Sequence, residues 1–314
     1  MSLERALELA ERGRGTTHPN PVVGAVLVRD DEMVGEGWHE RSGGPHAEVV
    51  ALEQAGARAR GATLYVTLEP CSHRGATPPC TDALVAAGIA RVVAGSPDPN
   101  PRVAGFERLR SAGIEVELAQ GEPASRARRQ NEAWRTWIGE GRPFVTYKAA
   151  VTLDGRMTVP GTRWVSGEES RLEVHRLRAR SDAVAVGMGT LLADLPQLTV
   201  RDVPVVRQPR RLVFGRGPLP EGSELELRAG PLAEELRGLA REGVQSLLLE
   251  GGPRLAASFL SAGLVDKLLV FVAPRLSGSG PALVPSLTAP LTVSGLETER
   301  VGEDVLLSAY VHEP

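Results

Sequence analysis

Cysteine is nearly absent from this chain, whose 314 residues include only Cys71 and Cys80. Two cysteines cannot form the disulfide framework of a small secreted domain, so a metal-binding pair in a reducing compartment is the more typical use. Long apolar runs are also absent, and the opening stretch MSLERALELAERG has mixed charge and no signal-peptide core. We therefore expect no membrane-spanning helix and a cytoplasmic location.

Lysine is the second scarce residue type. The chain has Lys148 and Lys267, and the other 34 of its 36 basic residues are arginines. A GC-rich genome and adaptation to heat would both produce this bias. The basic side chains are balanced by 39 acidic ones, for a net charge of −3. Without an excess of positive charge, a nucleic-acid or membrane surface is not expected, and the predicted partner is a small molecule.

The length favours two domains at about 150 residues each. In the first half, PVVGAVLVRDDEMVGEGWH is typical of a β-hairpin that turns at Asp30-Asp31, and a helix is expected from His46 onward. The strands ATLYVTL, ARVVAGSPD and IEVELA then alternate with the helices TDALVAAG, which Gly88 should end, and AGFERLRSAG. This alternation predicts a mainly parallel sheet covered by helices.

Residues 123–142 are polar and helical in pattern, and we place the domain boundary there, giving domains 1–143 and 144–314. A second alternation follows, with strands in FVTYKAAVTLDG, DAVAVG, RLVFG, VQSLLLE, VDKLLVFVAP and EDVLLSAYV. Helices are expected in GEESRLEVHRLRARS and PRLAASFLSAG. The predicted fold class is therefore α/β in two domains.

The two cysteines follow a histidine at a spacing that suits zinc. His46, Cys71 and Cys80 offer one imidazole and two thiolates, the three protein ligands of a catalytic zinc site that keeps its fourth position for water. Glu48 completes an H-x-E motif, whose carboxylate moves protons without binding the metal. Zinc deaminases pair H-x-E with a later P-C-x-x-C; here Pro70 precedes the first cysteine, but eight residues separate the two cysteines. We predict a zinc-dependent hydrolytic deaminase.

Other interpretations of this pattern stay open. H-x-E alone is common at solvated helix starts, and two cysteines can be inert core residues. A structural zinc usually has four protein ligands, and His73 could complete such a set, giving a zinc-stabilised protein without catalysis. A base deaminase acting on nucleic acid is a further class, although it would need a more basic surface.

The second half lacks the G-x-G-x-x-G fingerprint of dinucleotide-binding folds, because GMGTLL at 187–192 and GRGPLP both miss the third glycine. In LLLEGGPRL, however, Gly251 and Gly252 lie between an apolar run and a helix opened by Pro253. Backbone N–H groups at such a turn can bind phosphate, although many turns of this kind connect a strand to a helix without binding any ligand. Lys148 is retained in a chain that otherwise uses arginine. Its compact ammonium suits a site that must donate a hydrogen bond to a substrate carbonyl. The alternative is that Lys148 is a chance lysine on a strand.

Several stretches of the first half resemble the deaminase half of the RibD family, the bifunctional enzymes of riboflavin biosynthesis. They are HPNPVVGAVLV, GGPHAEVVAL, TLEPCSHRGATPPCTDALVAAG and DPNP, and the long loop between the cysteines fits this family. The resemblance implies a cytidine-deaminase-like three-layer α/β/α fold and a diaminohydroxypyrimidine substrate that carries a phosphoribosylamino group. It also implies that Asn20, His39 and His73 hold this substrate. From the residues alone, Asn20 could equally serve a turn between two prolines, and His39 could be a surface residue at a strand end.

The second half resembles the reductase half of the same family in YKAAVTLDGR, TRWVSGEESR, LRARSDAVAVGMGTLLADLPQLTVR and LLLEGGPRLAASFLSAGLVDKLLVFVAP. The resemblance implies a dihydrofolate-reductase-like α/β fold, NADPH as cofactor, and reduction of the ribosyl group to a ribityl chain. The cofactor-binding residues it implies are Ala150, Trp164, Thr190, Asp194, Gly215, Gly252, Pro253, Arg254, Leu255, Ala256, Ala257 and Ser258. The substrate-binding residues it implies are Thr162, Arg178, Leu198, Arg201 and Glu250. Two of these are arginines, which suit a phosphate; without the resemblance, Arg178 would be assigned to a solvated helix face.

Three positions depart from the family pattern: Thr162 replaces the usual serine, Ala150 the usual glycine, and Leu195 a frequent second aspartate. For the reductase chemistry we predict that Lys148 and Asp154 polarise or protonate the opening sugar oxygen. The overall prediction is a bifunctional enzyme that uses zinc and NADPH and forms a homodimer or homotetramer. A deaminase whose second domain is inactive remains the alternative.

Overall fold

The computed structural model describes residues 2–74, 78–287 and 289–314. The chain divides after Glu140 into two compact units, of which the second runs from Gly141 to Glu313. Within the described residues, no helix combines the length and the apolarity that crossing a bilayer requires. Residues 75–77, which lie in the enlarged loop between the two cysteines, are outside the described part of the chain.

The first unit contains one five-stranded sheet in the order β2-β1-β3-β4-β5. Its strands are β1 Gly24–Arg29, β2 Glu32–Trp38, β3 Thr63–Val66, β4 Arg91–Ala94 and β5 Glu115–Leu118. The last three pair in parallel, as predicted, but β1 is antiparallel to both of its neighbours. The sheet is therefore mixed, and the prediction of a mainly parallel sheet was wrong for the hairpin half. A two-residue turn can join only antiparallel strands.

The hairpin turn itself forms where the sequence predicts it. Asp30 and Asp31 have φ angles of 50° and 62°. Two successive residues with positive φ match the right-handed twist of the flanking strands, and aspartate tolerates this conformation better than most residues.

Among the described residues of this unit, six α-helices surround the sheet, and the helix that begins after His46 packs closely against it. They are α1 Ser2–Glu11, α2 Ala47–Ala55, α3 Cys80–Ala87, α4 Gly105–Ser111, α5 Glu122–Gln130 and α6 Glu132–Glu140. A Cβ on Gly37 of β2 would lie 2.7 Å from the Ala47 carbonyl oxygen, and one on Gly35 would overlap that of Ala51. Only glycine permits this approach of helix to strand, which fixes the start of α2 against the sheet.

Two helix ends bear on the sequence predictions. Gly88 ends α3 in the left-handed conformation, with φ 72° and ψ 40°, as the sequence predicts. The polar stretch at 123–142 forms two helices instead of one, because Asn131 interrupts them with φ −117° and ψ 25°.

The second unit contains an eight-stranded sheet in the order β12-β13-β11-β6-β10-β7-β8-β9. Its strands are β6 Phe144–Thr152, β7 Ala183–Gly187, β8 Arg210–Phe214, β9 Glu226–Arg228, β10 Ser246–Leu249, β11 Lys267–Ala273, β12 Ser294–Val301 and β13 Asp304–Tyr310. The six strands from β11 to β9 are parallel, and β13 and β12 extend the sheet with antiparallel pairs.

In the described part of the second unit, four helices cover the sheet: α7 Glu168–Ala179, α8 Met188–Asp194, α9 Leu232–Arg241 and α10 Pro253–Ser261. One buried cluster, which includes Tyr147 and Phe259, lies beneath α9 and α10, and another, which includes Val184 and Leu191, lies on the other face. The sequence analysis missed α8, α9, β9 and β12. The two strands gave no signal because β9 has three residues and β12 is exposed along nearly its whole length.

The order of the central strands places the second site. β10 and β11 flank β6 on opposite sides, so the connections diverge at the carboxyl end of β6. In open α/β sheets, ligands bind in the crevice at such a switch point. Since Leu249 of β10 pairs with Tyr147 of β6, the next residues, Glu250 and Lys148, come together at this crevice.

Candidate active sites

The three predicted zinc ligands converge in the first unit. The ligand atoms of His46, Cys71 and Cys80 all lie within 4.8 Å of one another. His46 Nδ1 is 3.1 Å from Cys80 Sγ and 3.6 Å from Cys71 Sγ. Bond lengths of about 2.0–2.3 Å around a tetrahedral zinc imply ligand separations of about 3.5 Å. The donor set and its spacing therefore fit zinc.

Three elements bring these ligands together. His46 precedes the first residue of α2, Cys71 follows β3, and Cys80 is the first residue of α3. Hydrogen bonds from the Cys80 thiol, from His46 and from the Cys80 backbone N–H lower the pKa of Cys71 to about 4. Because the Cys80 thiol donates to Cys71, its own pKa is raised. A thiolate is the form that binds metal, so Cys71 is already in its ligating form, whereas Cys80 releases a proton when a metal binds.

Glu48 lies beside this cluster without belonging to it. It occupies the first turn of α2 and is 3% exposed. Burial raises its pKa above the usual carboxyl range. A raised pKa strengthens the carboxylate as a proton acceptor, and the same group can return the proton, which is what a general acid–base needs.

A cavity of about 260 Å³ opens onto this cluster. The three residues predicted to hold substrate, Asn20, His39 and His73, all line it. His73 is exposed and lies outside the three-ligand group. Among the described residues, therefore, the ligand set that would make the zinc purely structural is not assembled.

Asn20 and His39 form one hydrogen-bonded unit in the cavity wall. Asn20 Nδ2 is 3.3 Å from His39 Nε2, and His39 Nδ1 is 2.9 Å from the Pro45 carbonyl oxygen. Burial lowers the pKa of His39, so its neutral ring donates from Nδ1 and accepts at Nε2. At 3% exposure His39 is not the surface residue of the alternative interpretation.

The cavity also contains four polar or aromatic residues that the sequence analysis did not assign to it: Glu69, Asp98, Asn100 and Trp134. Glu69 accepts hydrogen bonds from the backbone N–H groups of Asp98 and Phe106, at 3.2 and 2.9 Å. Asp98 in turn accepts from the N–H of Asn100 at 2.8 Å. The DPNP motif at 98–101 was the sequence signal for Asp98 and Asn100. The motif alone did not show which other residues these two would lie beside in the fold.

Asp98 makes the stability of the first unit pH-dependent. Burial raises its pKa from 3.8 to about 6. Between these values the folded state holds a proton that the unfolded state has lost, so stability falls as pH rises through this window. We expect Asp98→Asn, which keeps the acceptor for Asn100, to stabilise the protein by about 1–2 kcal/mol at pH 7, allowing for partial exposure. Urea unfolding of the wild type and of Asp98→Asn at pH 4 and pH 7 measures this. The same loss of unfolding free energy between pH 4 and pH 7 in both proteins would contradict the expectation.

A glycine that packs against the backbone just before Cys71 controls the geometry of the zinc loop. Gly105 opens α4, and a Cβ there would overlap the Pro70 carbonyl oxygen, one residue before Cys71. We expect Gly105→Ala to destabilise the unit by about 1–3 kcal/mol and to speed zinc loss to a chelator. Gly139→Ala is the matched control, since its Cβ would come no closer than 3.8 Å to Pro99. Equal zinc retention in the two variants would contradict the expectation.

The second site is a buried group of charges in the other unit. Glu250, directly after β10, accepts from Arg178 of α7 at both oxygens, at 2.6 and 3.0 Å. Lys148 Nζ lies 3.8 Å from Glu250 Oε2. Burial lowers the pKa of Lys148, an effect that Glu250 partly offsets. Burial alone would raise the pKa of Glu250, but the two cations outweigh it and the pKa is lowered.

Arg178 differs from its predicted role in one respect. Its side chain is mostly buried, so the solvated-face alternative is wrong. Its Nε and Nη2 bind Glu250, and Nη1 donates to the Thr199 carbonyl oxygen at 3.0 Å. The guanidinium fork is therefore filled within the protein, and a phosphate would have to displace Glu250 to bind it.

Arg201 is better placed for a phosphate because its side chain is exposed and its backbone is fixed. Its N–H donates to His175 Nδ1 at 3.1 Å, and its Nη1 donates to Gln197 Oε1 at 2.9 Å. The preceding Val200 is held at both backbone groups by the amide of Gln208, at 2.8 and 3.0 Å.

Asp154 is engaged in holding two loops together. It accepts from Thr152 Oγ1 at 2.5 Å and from the N–H groups of Ser277 and Gly278 at 3.0 and 2.8 Å. These hydrogen bonds hold the pKa of Asp154 well below its usual range. A carboxylate with this pKa carries no proton at neutral pH, so these contacts do not support the protonating role, and the part of Asp154 in polarising or protonating the sugar oxygen stays a prediction.

Several predicted NADPH residues meet where β7, β8 and β10 end. Gly252 directly precedes α10, and its N–H donates to Thr190 Oγ1 at 3.1 Å. Gly215 has φ 147°, and a Cβ there would lie 2.7 Å from Met188 Cβ. A Cβ on Gly251 would lie 2.9 Å from Leu255 Cδ2. These glycines let the turns pack closely against Met188 and Leu255 beside the N-terminus of α10, and a helix N-terminus is a place where the phosphate end of a dinucleotide can bind.

The remaining predicted reductase residues are less uniform. Trp164 is exposed, with Arg163 and Arg171 stacked on its ring at 5.0 and 5.5 Å. The side chain of Ala256 is fully buried in the core, so a contact of this residue with NADPH would have to involve its backbone, and the assignment stays a prediction. Exposed or partly exposed members are Ala150, Thr162, Asp194, Pro253, Arg254, Leu255, Ala257 and Ser258. Leu198 is buried, with φ 55°.

Comparison with known proteins agrees with both halves of the chain. Residues 2–96 match the model of the cytidine and deoxycytidylate deaminase zinc-binding region, and residues 143–307 match that of the RibD C-terminal domain. Riboflavin biosynthesis protein RibD of Aquifex aeolicus is 42% identical, over 97% of this chain and 96% of its own.

Two solved structures are similar over nearly the full length. RibD of Acinetobacter baumannii has a TM-score of 0.86 and 37% identity, covering 98% of this chain and 97% of its own. The Thermotoga maritima diaminohydroxyphosphoribosylaminopyrimidine deaminase/5-amino-6-(5-phosphoribosylamino)uracil reductase has a TM-score of 0.81 and 34% identity, with the same coverage. The predicted fold class, the zinc and NADPH cofactors and the pairing of two activities are thereby confirmed. The chain belongs to the RibD family of riboflavin biosynthesis proteins, which join a zinc-dependent deaminase to an NADPH-dependent reductase.

Proposed function

We propose that residues 1–143 deaminate a diaminohydroxypyrimidine that carries a phosphoribosylamino group, and that residues 144–314 reduce the ribosyl group of the product to ribityl. The observation that carries this proposal is the compact His46–Cys71–Cys80 group beside a buried carboxyl, Glu48, that is not one of the ligands. The Thermotoga maritima relative, whose two activities are of this kind, supports the choice of substrate.

The deaminase residues divide the work between metal binding and proton transfer. Zinc, when bound, lowers the pKa of a water toward neutrality. Glu48 accepts a proton at its carboxylate and returns it to the amino group that leaves as ammonia. Its raised pKa suits both steps. Glu48 lies outside the ligand group, so metal binding does not require its carboxylate oxygens.

Asn20, His39 and His73 orient the pyrimidine in the cavity. The Nδ2 of Asn20 is directed to His39, so its Oδ1 is available to accept from an amino group of the substrate. A neutral His39, fixed by Pro45, keeps this amide in one orientation. The described residues that line the 260 Å³ cavity include histidines and carboxyls but no arginine or lysine, so the substrate's phosphate would lie beyond them.

In the reductase unit, NADPH supplies the hydride. Lys148 donates a hydrogen bond from Nζ to the sugar oxygen as the ring opens, and the nearby Glu250 carboxylate favours the charged form of this amine, against the effect of its burial. Arg178 fixes the Glu250 carboxylate by a two-point contact. Arg201 is assigned to binding the substrate phosphate. Thr162 and the backbone of Leu198 are assigned to contacts with the substrate near that phosphate. NADPH binding is assigned to the predicted cofactor residues, centred on Thr190 and Gly252.

A coupled assay tests this function with the unmodified protein. Ammonia release from the phosphoribosylaminopyrimidine and oxidation of NADPH are followed together, and one NADPH is expected for each ammonia. Ammonia without NADPH oxidation would favour a deaminase with an inactive second domain. Release of ammonia from single-stranded nucleic acid, but not from the pyrimidine, would favour the nucleic-acid class. Location in the cytoplasm and assembly into a homodimer or homotetramer remain predictions, which cell fractionation and light scattering can test.

A further inference from the structure

One buried amide in the first unit pairs with the backbone of the cavity wall. Asn131, between α5 and α6, is 6% exposed. Its Oδ1 accepts from the Val22 N–H at 2.9 Å, and its Nδ2 donates to the Val22 carbonyl oxygen at 2.9 Å. In a β-sheet, a neighbouring strand would make the same pair of hydrogen bonds. Val22 precedes β1, whose pairing with β2 begins at Gly24, so here the Asn131 side chain makes the contact.

Val22 belongs to the segment that forms one wall of the cavity. Asn20, Pro21 and Val23 all line the cavity. The two ends of the segment are held by backbone hydrogen bonds, from the Asn20 N–H to Thr17 at 2.8 Å and from the His39 N–H to Val23 at 2.9 Å. The side chain of Asn131 holds the residue between them.

The start of α6 also contacts another part of the cavity. Trp134, three residues after Asn131, lines it directly. Arg135 Nη1 donates to the Pro97 carbonyl oxygen at 2.8 Å, next to Asp98 of the cavity wall. A single turn of helix therefore fixes two walls, although none of its residues was predicted to have a functional role.

We propose that Asn131 is a positioning residue for the deaminase reaction, which sets the depth and orientation of Asn20 through Val22. This inference rests on the proposed function. Val22 is buried, so both of its backbone groups need partners. A neutral amide is the side chain that offers a donor and an acceptor together at this reach. An aspartate of the same shape would only accept, and would oppose the Val22 carbonyl oxygen.

The test compares Asn131→Asp with Asn131→Leu, which has similar volume and no hydrogen bonds. We expect both variants to keep zinc and reductase activity, and to lose about tenfold to hundredfold in kcat/KM for deamination at about pH 8. As pH falls toward about 6, the buried carboxyl at position 131 becomes neutral and regains a donor. The ratio of N131D to wild-type activity should then rise, whereas the ratio for N131L should stay flat. A purely structural role would not produce this difference.

A double-mutant cycle tests whether the effect passes through Asn20. In an Asn20→Ala background, N131D should cost much less than it costs in the wild type, because the residue it positions is gone. An undiminished loss in that background would overturn the proposal, as would wild-type kcat/KM in both single variants. Loss of zinc from both variants would also overturn it, by assigning Asn131 to folding. If the wild type itself releases no ammonia from the pyrimidine, the proposed function fails instead.

Discussion

Replacing Glu48 with glutamine is expected to lower the rate of ammonia release by about 10²–10⁴-fold, the usual contribution of a positioned acid–base group. Glutamine fits the buried volume but neither accepts a proton from water nor returns one to the leaving amine. Because Glu48 lies outside the three-ligand group, zinc content should stay at the wild-type value. Reduction of the deaminated substrate by the second unit should be unchanged. Ammonia release, zinc by atomic absorption and NADPH oxidation are the three measurements.

The matched control for this variant is Glu53→Gln, in the same helix at an exposed position. It removes the same charge from α2 and should leave ammonia release at the wild-type rate. Zinc loss from E48Q alone would show that Glu48 supports the metal, and would contradict the assignment of proton transfer. A rate near that of the wild type would remove Glu48 from the mechanism.

The largest effect in the second unit is expected for Lys148→Met. Methionine keeps most of the aliphatic volume and removes the ammonium, and loss of one donor to a developing oxyanion costs about 10²–10³-fold in rate. The change removes Lys148 from the two cations beside Glu250 and leaves Arg178 in place. The Glu250 carboxylate therefore stays charged and the fold should persist. NADPH oxidation on the deaminated substrate measures the loss, and ammonia release should not change.

The chain's other lysine supplies the control. Lys267 lies on the neighbouring strand β11 and donates to Tyr310 Oη at 3.0 Å. We expect Lys267→Met to keep reductase activity, because its amine is engaged outside the crevice. Similar losses in both variants would indicate a general effect of removing lysine from this sheet. A fully active K148M protein would exclude Lys148 from the reaction.

Residue types with narrow chemistry were the most predictable part of this protein. A histidine, two cysteines and a glutamate at this spacing have few uses other than a zinc deaminase, so the composition of the metal site followed from the sequence. Turn residues with special backbone angles were equally informative, as Asp30-Asp31 and Gly88 show. Most strands and helices followed from apolar patterns; the missed elements were the short or exposed strands β9 and β12 and the helices α8 and α9.

Roles that depend on a partner far along the chain were not predictable. Arg178 on a helix rich in arginine gave no sign that it would meet Glu250, 72 residues away. Asp154 was assigned to proton transfer, but its partners Ser277 and Gly278 follow more than 120 residues later and hold it as a carboxylate. Asn131 looked like an ordinary residue of a polar helix, because its contact with Val22 spans 109 positions.

The sequence alone determined which chemistry this chain can perform, since ligand type, glycine turns and strand patterns are local properties of the residues. The tertiary structure decided how its charged groups are used. Insertion of β10 between β6 and β7 brings Glu250 to Lys148, and the break between α5 and α6 brings an amide to the cavity wall. A side chain's charge and hydrogen bonds depend on burial and on the neighbours that folding supplies, and neither is encoded in adjacent residues.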